Sequence, residues 1–76
     1  MKQIFKHKIE GRSTEAFGVG KIVHVAMQEQ FICFWYEYDH TVDARSFIVV
    51  DTGWEYEGTH IGTVQNWRYV WHLIEI

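Results

Sequence analysis

Apolar and polar residues alternate along most of this chain, and nowhere do apolar residues recur at helical spacing over three turns. A period of two throws successive side chains to opposite faces of an extended strand. In MKQIFKHKIE, residues 1–10, the odd positions carry Met1, Phe5 and Ile9, and the even positions carry Lys2, Lys6 and Lys8. That is a strand with one moderately apolar face and one basic face. KIVHVAMQ (21–28) and FICFWYEY (31–38) flank Glu29 and Gln30, which predicts a hairpin. RSFIVVD (45–51), THIGTVQ (59–65) and RYVWHLIEI (68–76) read as three more strands. DHTVDA and TGWEYEG are loops, and Asn66 marks a turn. GRSTEAFGVG, residues 11–20, reads as irregular, with at most one helical turn near 13–17. The expectation is an all-β fold and one domain spanning residues 1–76. About six short antiparallel strands would run in a meander forming a small barrel or sandwich, with little or no helix.

A chain of 9.1 kDa exposes roughly 4,900 Å² when folded, burying about 63% of its unfolded surface. Apolar burial then nearly cancels the ordering cost, and domains of this size lean on disulfides, a metal or oligomerisation. Cys33 is the only cysteine, so no disulfide closes within one chain. FICFWYEY and RYVWHLIEI are apolar on both faces, whereas an antiparallel sheet usually wets one. With 47% hydrophobic residues, a homo-oligomer covering the second face is the expectation.

The lone cysteine suits a reducing cytoplasm. No apolar run approaches the ~18 residues of a membrane span, so no membrane partner is expected and the protein is placed in the cytoplasm. Five of the seven Lys and Arg side chains lie within residues 1–21, and eight of the ten acids lie beyond. So acidic a body argues against duplex nucleic acid, whose affinity comes mostly from phosphate neutralisation. The basic first strand remains able to touch an anion.

Motifs for catalysis are missing. His7, His24, His40, His60 and His72 fall on separate elements without zinc-ligand spacing, so neither a metal site nor a cofactor is expected. Cys33 sits mid-strand among apolar neighbours, and Ser13 and Ser46 lack a nucleophile-elbow context. Glu37 with Asp39 and Glu55 with Glu57 read as solvated loop charge rather than paired catalytic carboxylates. The expectation is a protein that is not an enzyme. Gly62, inside a strand, marks close approach of another group, a packed tryptophan before a ligand.

The remaining constellation is aromatic and cationic. Trp54 and Tyr56 lie on a loop, Trp67 at a turn, and Arg45 and Arg68 at strand starts, with His60, Trp71 and His72 on the last two strands. Such residues serve as packing, as anchors for a protein partner, or as a platform on which a nucleotide-type molecule stacks while an arginine takes its phosphate.

The opening MKQIFK, His24-Val25 with Gln28, Cys33-Phe34-Trp35, Thr52-Gly53, Ile61 to Gln65, and Val70-Trp71-His72 with Glu75 together resemble a family of small bacteriophage- and prophage-encoded proteins classed as a domain of unknown function. The likeness departs at residues 10–20 and in the LIEI tail. It implies a phage setting and no particular activity. Small phage proteins without enzyme motifs often act by binding, so host takeover or anti-defence by sequestering a host factor is the expected role. A nucleotide-derived immune signal, held at a subunit interface in the host cytoplasm, is its sharper form. A ligand-free structural or assembly accessory is the alternative.

Overall fold

The structure, a computed structural model, describes residues 1–76. Seven strands and no helix make up the chain: β1 (Ile4–Ile9), β2 (Ser13–Ala16), β3 (Val19–Gln28), β4 (Phe31–Tyr38), β5 (Arg45–Asp51), β6 (Thr59–Asn66) and β7 (Tyr69–Glu75). They form two antiparallel sheets, one in the order β1-β4-β3 and one in the order β2-β5-β7-β6. The fold is thus all-β, and of the two closures expected it takes the sandwich; there is no closed barrel.

The extra strand lies in the stretch expected to be irregular. Ser13 to Ala16 form no helical turn. They pair with Ile48 to Arg45 at the edge of the second sheet. Four residues are too few to show a period, and the partner strand supplies the backbone bonds the segment needs. β3 likewise starts at Val19, and Asn66 ends β6 opposite Tyr69 instead of forming the turn. The hairpin at Glu29-Gln30 is present. Both turn residues have positive φ, 52° and 73°, as a two-residue hairpin whose twist matches its strands demands.

Strand order departs from a simple meander. β1 pairs with β4, and β2 with β5, so the chain changes sheets after β1, β2 and β4. The core between the sheets gathers Ile9, Ile32, Phe34 and Tyr36 from one side and Phe47, Val49, Val64 and Leu73 from the other. Phe34 and Phe47 meet across the interface with ring centroids 4.9 Å apart. His7 of β1 and Thr14 of β2 share a hydrogen bond of 2.7 Å that joins the sheets at one corner.

One of the two-faced strands, β7, has an explanation within one chain. Cross-strand register turns Val50 and Ile74 away from the core, yet they are only 5% and 0% exposed. β5 and β6 both pair with β7, one on each side. Residues 52–58 must therefore pass over β7 to join them. Gly58 (φ +127°) lies against the Glu75 carbonyl, and a Cβ built on it would stand 3.0 Å from Ile74 Cγ2. The crossing loop covers that face of β7. Gly62 is explained too: its close neighbour is Val25 of the opposite sheet, neither a tryptophan nor a ligand.

The folded chain exposes 5466 Å², about a tenth more than is usual for its mass. Trp67 is 91% exposed and Phe17 71%.

Candidate functional site

One end of the sandwich stays open. There β1 runs out at Ile9, the β3–β4 hairpin turns at Glu29 and Gln30, and the β6–β7 hairpin turns at Trp67 and Arg68. Between the sheets lies a cleft of about 300 Å³. Ile9, Met27, Ile32, Val49 and Trp71 supply its apolar walls, and Phe31, Gln30 and Arg12 its rim.

Pairing of β2 with β5 brings Arg12 to this rim, because the Val49 N–H donates to the Arg12 carbonyl at 2.8 Å. Arg12 Nη1 donates to the Val49 carbonyl at 3.3 Å and to Asp51 Oδ1 at 3.0 Å. The guanidinium carbon lies 4.6 Å from the Trp54 ring centroid. An arginine has five N–H donors, and those on Nε and Nη2 meet no protein acceptor. Lys8 Nζ sits 4.5 Å from the Phe31 ring centroid at the other side of the rim. Trp71 is the back wall, and Tyr69 stacks on it at 5.6 Å with the planes 4° apart. On the other side of Trp71 a shallow groove runs between Arg68, Tyr69, Asp51 and Thr52. The open end therefore offers aromatic planes with a cation on each side, the arrangement that takes a planar anion.

All three non-glycine residues with positive φ, Glu29, Gln30 and Trp67, belong to the two hairpin turns bordering this end.

Of the residues singled out by sequence, Trp71 walls the cleft, Trp54 lies against Arg12 on its rim, and Arg68 lines the groove behind Trp71. Trp67 projects from the hairpin tip beyond them, and Tyr56 lies exposed on the crossing loop. Arg45 belongs elsewhere, and its expected role as a phosphate ligand beside the aromatics does not survive. It sits at the opposite end, where Nε and Nη2 donate to Glu75 Oε2 and Oε1 at 2.7 and 2.6 Å. Its Nη1 donates to the Val19 and Gly20 carbonyls at 3.0 and 2.6 Å. This fork holds the Glu75 carboxyl below, and the Arg45 guanidinium above, their usual values. It is a strut between β5, β7 and β3.

His60 and His72 come together on the outer face of the four-stranded sheet, ring centroids 5.9 Å apart. Thr63 Oγ1 lies 2.9 Å from His60 Nε2 and 2.9 Å from His72 Nδ1, and Thr52 Oγ1 lies 2.8 Å from His72 Nε2. Both nitrogens of His72 and one of His60 face hydroxyls, and the chain Thr52–His72–Thr63–His60 pins the crossing loop to β7 and β6. Arg12, Asp51, Phe31 and Tyr69 are the site residues that sequence reasoning passed over. The clue to Arg12 was its place in the basic N-terminal segment, next to a glycine.

No curated protein and no solved structure matches the chain. One family model matches it over residues 1–76, described as a domain of unknown function, DUF7352. The chain, matched from its first residue to its last, belongs to the DUF7352 family.

Proposed function

We propose that this protein works by binding rather than catalysis, and that its open end takes a small planar anion of the nucleotide type. One observation carries the reading: an apolar cleft walled by Trp71 is rimmed by an arginine whose Nε and Nη2 donors are free. At about 300 Å³ the cleft is at the small end of ligand pockets, and admits a single base while the rest of the ligand lies over the rim. The phage setting implied by the resemblance gives such a site a use. Sequestering a host factor in the host cytoplasm, a nucleotide-derived immune signal above all, would serve host takeover or anti-defence. A second reading rests on Trp67, 91% exposed at a hairpin tip. A tryptophan so placed suits an anchor for a protein partner, whether a host protein or a second copy in a homo-oligomer.

Thermal unfolding with mononucleotides, cyclic dinucleotides and ADP-ribose tests the first reading. A ligand at 100-fold excess over its Kd stabilises by about 2.7 kcal/mol, a Tm rise of about 10–20 °C for a domain this size. Arg12→Gln is expected to abolish the rise, and no shift with any of the panel refutes the reading. Native mass spectrometry tests the second, where loss of a multimer in Trp67→Ser is the supporting result and a monomer at micromolar concentration removes self-association.

A further inference from the structure

The outer face of the three-stranded sheet takes no part in the cleft walls or in the core. Register places Phe31, Cys33 and Trp35 along the middle strand on that face, with Lys6 and Lys8 beside them on β1. Phe31 and Trp35 are half-buried and stand about 13–14 Å apart at four residues of strand rise. No other strand or loop lies over them, yet Cys33 between them is only 1% exposed. The cover comes from Lys6. Its ammonium reaches from β1 across β4 to donate to Gln28 Oε1 of β3 at 2.6 Å, which lays the alkyl stem over the cysteine.

Each aromatic thus has a cation or an imidazole at its side. Lys8 Nζ is 4.5 Å from the Phe31 centroid, and the His24 ring is 5.4 Å from that of Trp35. Two carboxylates near this face are paired, Glu37 with Lys2 at 3.6 Å and Glu10 with Lys8 at 3.2 Å, and a third, Glu29, stands exposed on the β3–β4 turn. Lys6 has no carboxylate partner. Glu15, Asp51, Glu55, Glu57 and Glu75 belong to the other sheet and its crossing loop. The chain is acidic as a whole, but this side of it is not.

We propose that this face binds single-stranded nucleic acid, with bases stacked on Phe31 and Trp35 and phosphates met by Lys6 and Lys8. A flat sheet offers nothing to enter a duplex groove, whereas unpaired bases present the planes an aromatic ridge can stack. A second copy fits less well, since two-fold symmetry sets the same patch against itself and brings lysine toward lysine. Lys6 and Lys8, two residues apart, are separated by about 7 Å along one strand and so meet successive backbone positions. This surface needs no occupant in the cleft; the two share Phe31 and Lys8 at their border.

Anisotropy of a labelled oligothymidylate of about twelve nucleotides, titrated with the full chain, tests the proposal. Two phosphate contacts give a slope of about −1.4 in log K against log salt, so affinity drops about sevenfold between 50 and 200 mM. Lys6→Gln with Lys8→Gln is expected to flatten that slope toward zero. Trp35→Leu, or Phe31→Leu if the first fails to fold, is expected to weaken binding about tenfold and leave the slope alone. Arg12→Gln, which acts at the cleft, leaves both unchanged and so separates this surface from the nucleotide-type site. No binding at millimolar protein in 50 mM salt overturns the proposal. So does equal affinity for duplex of the same length, or a slope untouched by removal of both lysines.

Discussion

Gly62 offers the cleanest test of how the sheets fit. A Cβ built there would lie 2.9 Å from Val25 Cγ2 and 3.1 Å from Val25 Cβ, and its φ is an ordinary one. Alanine is therefore acceptable to the backbone, and removing a strand glycine should by itself gain about 0.5–1 kcal/mol. Against this stands overpacking, about 1–3 kcal/mol. Val25 cannot swing aside, because a β-branched side chain has few χ1 choices and its Cβ moves only with the strand. Gly62→Ala is expected to cost about 1–2 kcal/mol net. Val25→Ala removes two half-buried methyl groups and is expected to cost about 1 kcal/mol. In the double variant the new methyl occupies the space the valine leaves. Its stability should equal or exceed that of Val25→Ala, a coupling of about 1–2 kcal/mol. Urea unfolding measures all four chains, and each kcal/mol should appear as about 4–8 °C in Tm. Additive losses would refute the argument, as would a neutral Gly62→Ala.

Two acid-side predictions follow from the other struts. The Arg45 fork lowers the Glu75 pKa, so its contribution is present above the usual carboxylate value and is lost as pH falls through the folded one. Arg45→Met should cost about 1–2 kcal/mol at neutral pH and lose less on acidification than the parent; an unchanged acid limb in urea melts from pH 7 to 3 would count against the strut. Burial lowers the His7 pKa below 6.5, so the unfolded chain takes the proton more readily and stability falls as pH drops from 6.5 through the folded value. His7→Gln should flatten the stability profile between pH 7 and 5, and an undiminished fall would assign it to other groups.

What the sequence disclosed and what it hid divide along one physical line. Strands of six or more residues announced themselves, because period-two alternation over that length has no other use. The hairpin at Glu29-Gln30 followed from them, and the second was expected at Asn66, one residue short of its place at Trp67-Arg68. β2 was hidden because four residues carry no period, and its partner residues lie about thirty positions away in the chain. The cover over Ile74 was hidden for the same reason: the crossing loop is placed by strand order, and strand order is a property of the whole sheet. The candidate site inherits this. Arg12 and Arg45 are the same residue type, each near the start of a strand. Nothing local tells them apart. Topology does: β5 sets Arg45 beside Glu75 and two carbonyls, which leaves its donors filled. The same strand, at its other end, gives Arg12 one carboxylate and one carbonyl on a single nitrogen, so the rest of the guanidinium faces out. A charge count along the chain cannot distinguish a strut from a ligand donor. The number of donors left unsatisfied once the strands have paired can, and by that measure Arg12, not Arg45, is the arginine left free to meet an anion.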